Sequence, residues 1–305
     1  MNRHVLGLAL IGALTGCGTR EEPAAAPLNP HPEWQSAFVD VGGLRLHYWR
    51  TGGEGKPVLV LAHGITDYGL NWTGLAERLQ QEYDVVMYDA RGHGYSDQPD
   101  GPYDLASHVA DLVGLIEQLK LAQPILMGHS MGGSTVALVA ATHPGLARAV
   151  ILEDPADIQS SIEPLRPEVI PDWKKQVRAD RKAKKEKLIE HARTVRHPGW
   201  RDVDYELWWE SKRLVHPNVV DILNGQGFGS ARETWPKVMV PVLVLKADAD
   251  SAARAQHLAI ARLLPHGRLV HIAGAGHVIR NDRPKAVERE LRAFLAELPP
   301  LASRE

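Results

Sequence analysis

Ser130 stands in Gly128-His129-Ser130-Met131-Gly132, between an apolar run, Pro124-Ile125-Leu126-Met127, and a helix-like run, Gly133 to Ala140. Strand, sharp turn and helix are the setting in which a serine between small residues is lifted clear of a sheet edge, at the positive end of a helix dipole. The flanking glycines suit such a turn because they carry no Cβ. A serine hydroxyl is a weak nucleophile at neutral pH and needs a base within hydrogen-bond reach, itself oriented by a third group. The chain has 15 histidines, so residue type alone selects nothing. Position selects His277, which ends the glycine-bracketed loop Ala273-Gly274-Ala275-Gly276 after the apolar run Arg268 to Ile272. His129, next to the serine in a tight turn, reads as packing or a local hydrogen bond, and His63 and His93 read as structural. The chemistry is nucleophilic attack on a carbonyl, followed by general acid–base proton transfer.

The elements that must position these groups alternate. Short apolar runs at Pro57–Ala62, Val85–Tyr88, Val242–Lys246 and Arg268–Ile272 read as strands, each leading into a turn with Gly, His or Asp. Helical patterns at Asn71–Gln81, Leu105–Leu119 and Ala252–Leu264 separate them. Such alternation predicts a parallel sheet covered on both faces, with ligands at the carboxyl ends of the strands. Val39 to Trp49 alternates about Gly42-Gly43 and predicts an antiparallel hairpin at the sheet's entry. The stretch 155–236 lacks strand-like runs and holds five of the eight tryptophans, Trp173, Trp200, Trp208, Trp209 and Trp235. It reads as a helical cap inserted between core strands. Eight basic residues fall within Lys174–Lys187 and read as a solvated helix face. The glycine-rich Gly225 to Gly229 follows no strand and reads as a loop at the cap exit.

Taken together, the serine turn, the His63-Gly64 loop, the carboxylates after the strand Val242–Lys246 and the late His277 loop resemble the α/β-hydrolase superfamily over about residues 36–298. The resemblance implies an α/β fold: a mostly parallel sheet with helices on both faces and an inserted helical cap. It implies a core in two parts, 36–154 and 237–305, around the cap at 155–236. It implies a triad of Ser130, Asp250 and His277, with Asp248 and Asp154 as alternative acids. Here Ala247 replaces the glycine that the family carries ahead of its acid. The oxyanion donors implied are the backbone amides of Ile65 and Met131. The activity implied is hydrolysis of carboxylic esters or lactones by a serine nucleophile. A serine there speaks against the epoxide hydrolases and haloalkane dehalogenases of this fold, which use an aspartate. Carbon–carbon bond hydrolases of ring-cleavage products, and non-catalytic ligand-binding relatives, are the alternatives. Trp208 and Trp209, adjacent on one predicted helix, are candidate substrate contacts, one at most facing the cleft; an apolar or aromatic group beside the ester is expected.

The N-terminus carries a separate message. A charged start, Met1-Asn2-Arg3-His4, precedes ten apolar residues and then Leu14-Thr15-Gly16-Cys17. This is a secretory signal pattern and resembles a bacterial lipobox, which implies cleavage after residue 16 and lipidation of Cys17. Residues 17–35, rich in Pro and Ala, would be an extended tether. Gly18 after the cysteine implies export to the outer membrane, facing the periplasm, in a host that has one. The Lys+Arg 35 against Asp+Glu 37 balance asks for no nucleic acid. No cofactor or metal motif stands out, the partners expected are a small ester or lactone and the membrane, and nothing in the sequence sets the oligomeric state.

Overall fold

The computed structural model describes residues 28–163, 167–225 and 227–299. The lipobox with Cys17 lies outside the described residues.

The chain enters as a hairpin, β1 (Gln35–Val41) and β2 (Leu44–Arg50). Val41 pairs with Leu44, so Gly42 and Gly43 are a two-residue loop, and both have positive φ, 61° and 88°. A turn with two left-handed residues matches the twist of the flanking strands, and glycine adopts it without steric cost. There follow β3 (Val58–Ala62), α1 (Thr73–Leu79), β4 (Asp84–Tyr88), α2 (Leu105–Gln118), β5 (Ile125–His129), α3 (Met131–Thr142) and β6 (Ala149–Glu153). A helical stretch then holds α4 (Ala156–Ile162), α5 (Ile170–Lys182), α6 (Lys185–His191), α7 (Asp202–Leu214) and α8 (Ala231–Thr234). The core resumes with β7 (Val242–Lys246), α9 (Ser251–Ala261), β8 (Gly267–His271), α10 (Ile279–Asp282) and α11 (Pro284–Ala296). Between β6 and β7 the described residues contain no strand.

The eight strands form one sheet in the order β1-β2-β4-β3-β5-β6-β7-β8. Only β1 with β2 and β2 with β4 are antiparallel; the remaining pairs are parallel. Alternation along the strands sorts side chains to two cores. Val60 and Ala62 of β3 join Leu112 and Leu115 of α2 and Val136 of α3 on one face. Leu59 and Leu61 join Leu75 and Leu79 of α1 and Leu291 and Phe294 of α11 on the other. Both faces are covered, which is why β3, β5 and β7 read as unbroken apolar runs. Of the cap tryptophans, Trp200 and Trp208 form a small cluster with Ala192 and Tyr205, while Trp235 is buried against the main core.

Trp235 reaches one unusual acid. Asp157, in the first turn of α4, is buried, and its Oδ2 accepts a 2.8 Å hydrogen bond from Trp235 Nε1. Its Oδ1 has no partner among the described residues. Burial, only partly offset by these bonds, pushes the carboxyl up to about 6. A folded pKa above the unfolded value means that the native state favours the protonated form. The associated stability is complete below about pH 4 and is lost as pH rises through 6. Against an Asp157→Asn variant, the wild type should therefore lose about 2 kcal/mol between pH 4 and pH 8. Urea midpoints of both proteins at the two pH values measure this; a difference independent of pH would contradict it.

Candidate active site

Ser130 sits between the last residue of β5 and the first of α3. Its backbone angles, φ 52° and ψ −114°, are those a non-glycine residue adopts only when its surroundings force them. The neighbouring glycines show the constraint. A Cβ on Gly128 would lie 2.1 Å from the carbonyl oxygen of Gly132, and one on Gly132 would lie 2.2 Å from that of Ala62 at the end of β3. The chain doubles back so tightly that only hydrogen fits at either position. The Ser130 amide donates to the Glu153 carbonyl of β6 (3.0 Å), fixing the turn to the neighbouring strand.

Asp154, directly after β6, has a left-handed φ of 41°. It turns toward the loop that follows β8, where His277 Nδ1 meets its Oδ2 at 2.5 Å. With Nδ1–H donating to the carboxylate, Nε2 is left as the acceptor that a base must offer. Lys246, the last residue of β7, pairs with the other oxygen, Oδ1. Burial acts to raise the Asp154 carboxyl, but His277 and Lys246 outweigh it and hold it well below the usual carboxylate range. The His277 side chain is half exposed, and partial desolvation acts to lower it, yet the hydrogen bond and charge of Asp154 raise it above 6.5. The loop carrying His277 is clamped by Arg280, whose amide and guanidinium both bind the buried Glu153 (2.7 and 2.8 Å).

This corrects the expectation for the acid. Asp250 does not approach His277: it is exposed and caps α9, accepting from the Ala253 amide at 2.9 Å. An aspartate immediately before a helix has a ready local partner in the third helical amide. Asp248 binds Arg254 and the amides of Ala249 and Gly274. Strand β7 thus contributes Lys246 as a support, while the carboxylate itself comes from β6. Glu153, Lys246 and Arg280 escaped the sequence reading, since no local pattern links them.

The amides of Ile65 and Met131 donate to no acceptor among the described residues, the free state that an oxyanion donor requires. Ile65 belongs to the loop His63 to Asp67 after β3. His63 Nε2 meets the Ala90 amide at 2.9 Å, a structural role. His129 makes a contact longer in range than a local bond: its Nε2 meets the His277 carbonyl at 2.9 Å. Its Nδ1 lies 3.7 Å from Asp67 Oδ2.

The cap reaches this loop through α7. Glu210 is buried and accepts from the hydroxyls of Tyr68 (2.7 Å) and Tyr95 (2.8 Å). Lys212, also buried, donates to the Thr66 carbonyl (2.8 Å), Thr66 Oγ1 (3.0 Å) and Asp67 Oδ1 (3.2 Å). Burial would raise Asp67, but Lys212 and then His129 keep it well below the usual carboxylate range. Trp208 lines a crevice of about 370 Å³ with Gln176, Asp180, Lys187, His191 and Arg196, a more charged lining than its tryptophan suggested. Trp209 is not among those lining residues; its ring lies 5.0 Å from Lys185 Nζ and 5.8 Å from the Arg213 guanidinium.

The family described as the alpha/beta hydrolase fold matches residues 57–281, from just before β3 into α10 beyond His277. The chain belongs to this α/β-hydrolase family. Among its relatives is the 2-(acetamidomethylene)succinate hydrolase of Mesorhizobium japonicum, 28% identical over 85% of this chain and 95% of that one. Another is the N-formylmaleamate deformylase of Pseudomonas putida, 39% identical over 38% of this chain and 44% of that one. The crystal structure of the enol-lactonase from Burkholderia xenovorans LB400 superposes with a TM-score of 0.66 at 27% identity, covering 86% of this chain and 100% of that one. Among the described residues of this α/β hydrolase, no group of three or more His, Cys, Asp or Glu is placed to hold a metal ion. No described helix is long and apolar enough to cross a membrane.

Proposed function

We propose that this chain is a serine hydrolase that cleaves a carboxylic ester or lactone through an acyl-enzyme on Ser130. The observation that carries the reading is the Asp154–His277 hydrogen bond beside a serine held in a strained strand-to-helix turn. Ser130 Oγ attacks the carbonyl carbon while its proton passes to His277 Nε2. The oxyanion takes hydrogen bonds from the Ile65 and Met131 amides. The tetrahedral species collapses with loss of the alkoxide, which receives the proton from His277. Water then attacks the acyl-enzyme with His277 again as base, releasing the acid and restoring Ser130. Asp154 stays ionised and holds the imidazole in the tautomer that can accept the proton. The enol-lactonase likeness supports an ester-like bond. The names of the hydrolase and deformylase relatives favour a second reading, cleavage of an acyl–nitrogen bond by the same groups. The test is turnover of aryl esters, lactones and N-acyl compounds, with the covalent intermediate trapped by acid quench and located by peptide mass spectrometry. An acyl group on Ser130 supports the reading, and an acylated residue elsewhere overturns it.

We also propose that the chain is exported and anchored to a membrane through lipidated Cys17; the charged start, apolar run and Leu14-Thr15-Gly16-Cys17 support this. Several acyl chains, as the lipobox resemblance implies, would hold where one binds only marginally. Cys17→Ser should abolish incorporation of labelled palmitate and move the protein from the membrane pellet. Label retained on the variant would refute it.

A further inference from the structure

Lys212 belongs to the cap, yet all of its hydrogen bonds go to the core loop that carries the Ile65 amide. Its ammonium has three hydrogens, and three acceptors surround it: the Thr66 carbonyl, Thr66 Oγ1 and Asp67 Oδ1. With every donor engaged, the lysine has none left for a substrate. Its place is fixed further by the Trp208 ring, whose centroid lies 5.1 Å from Nζ.

The residue it grips is strained. Thr66 has φ +67°, and for a β-branched side chain the left-handed region is a genuine outlier. Such a conformation persists only where surrounding contacts over-determine it. Lys212 supplies two of those contacts on Thr66 itself, one to the backbone carbonyl and one to the side chain. On the other side, the Thr66 amide lies 3.4 Å from His93 Nε2. Thr66 directly follows Ile65, so any relaxation of its φ turns the Ile65–Thr66 peptide and, through the Ile65 Cα, displaces the preceding Gly64–Ile65 peptide that carries the Ile65 N–H. The second ligand, Asp67, faces His129, and His129 holds the carbonyl of His277. One buried lysine of the cap therefore braces the loop on one side of Ser130 and holds Asp67 facing the histidine that binds the loop on the other.

We propose that Lys212 is a positioning residue that holds Thr66 in its left-handed conformation and so aims the Ile65 amide, making oxyanion stabilisation depend on a seated cap. The catalytic part of this rests on the serine-hydrolase reading; the loop-holding part stands without it. A donor of the oxyanion hole is worth most when it is aimed before the charge develops, and a misplacement of about 1 Å at such a site costs about 100-fold in rate.

The experiment uses the full chain with a 4-nitrophenyl ester as probe. Lys212→Met should lower kcat about 100-fold and leave KM within about threefold, since the interaction lost is one made in the transition state. Hydrogen exchange of the segment 63–68 should rise at the same time, read by mass spectrometry without any substrate. Adding Thr66→Gly should return at least about tenfold of kcat, because glycine occupies positive φ without strain. Should Lys212→Met fail to fold with Asp67 left unpaired, Lys212→Met/Asp67→Asn removes the orphaned charge and is measured in its place. Unchanged exchange of 63–68 overturns the loop-holding role. Unchanged kcat with a raised KM overturns the positioning role and makes Lys212 a substrate contact. A lower melting temperature with kcat intact reduces it to cap packing and overturns the proposal too. Loss of the serine-hydrolase reading is recognised separately, by a wild type that acylates no serine.

Discussion

Ser130→Ala is expected to abolish hydrolysis of any ester the wild type turns over, with a fall in kcat on the order of 10⁶-fold, and to leave the fold intact. In a serine protease, loss of the nucleophile alone costs about as much as loss of the whole triad, because the remaining members have nothing to activate. The same logic holds here. His277 and Asp154 keep their 2.5 Å contact whether or not the hydroxyl is present, but no covalent intermediate can form. The turn should survive, because what forces its backbone is the near-contact of Gly128 with Gly132 and of Gly132 with Ala62, and alanine occupies the strained position with a side chain no larger than serine. Melting temperature should therefore change little. Phosphonate or fluorosulfonyl probes should label the wild type on Ser130 and the variant nowhere. Residual activity in the variant above about 10⁻³ of wild type would point to a different nucleophile and would remove the basis of the proposed reaction.

How much of this site can be read in the chain depends on the distance over which each part is encoded. The serine turn is a local device: strand, small residues and helix are contiguous, and the sheet order and two-sided burial follow from alternating runs of the same kind. His277 is legible for a similar reason, being the last histidine that follows a core strand in a glycine-bracketed loop. The acid is different. Asp154, Asp248 and Asp250 all follow strand ends, and local sequence offers each a plausible task. Asp250 carried a signal that weighed the other way, since Ser251 opens a helix and an aspartate before a helix is drawn to its amides. Asp154 gave no such sign. Its selection depends on Lys246 from β7 and on the Glu153–Arg280 pair that brings the His277 loop over β6, contacts between residues far apart in the chain. Lys212 is less legible still. It is followed by Arg213 on a helix whose charges read as solvated, and only the docking of α7 against the loop after β3 distinguishes it from its neighbour.

The acid can be separated from its rivals by two substitutions of identical chemistry. Asp154→Asn should lower kcat about 10⁴-fold, the cost of the same change in the triad of a serine protease, and Asp250→Asn should lower it less than about threefold, because an asparagine at the start of α9 caps that helix as well as an aspartate. The mechanism behind the first number is tautomeric. Asp154 accepts from Nδ1 and leaves Nε2 bare; an asparagine can instead present its amide N–H to Nδ1, which moves the imidazole proton to Nε2 and removes the base. The pH dependence provides a second reading of the same residue. His277 must be neutral to take the serine proton, so the rate of the wild type should rise with pH through a value above 6.5, where Asp154 has raised it. Without the carboxylate, the hydrogen bond and the charge that hold the proton on the ring are gone, which favours the neutral form. In Asp154→Asn the residual activity should therefore rise through a lower pH than in the wild type, while Asp250→Asn should keep the wild-type profile. If the large loss and the shifted profile appear instead in Asp250→Asn, the loop after β7 must rearrange in solution to bring that residue to His277. The Lys246–Asp154 pair speaks against this, since releasing Asp154 from His277 would leave a buried carboxylate with one partner fewer.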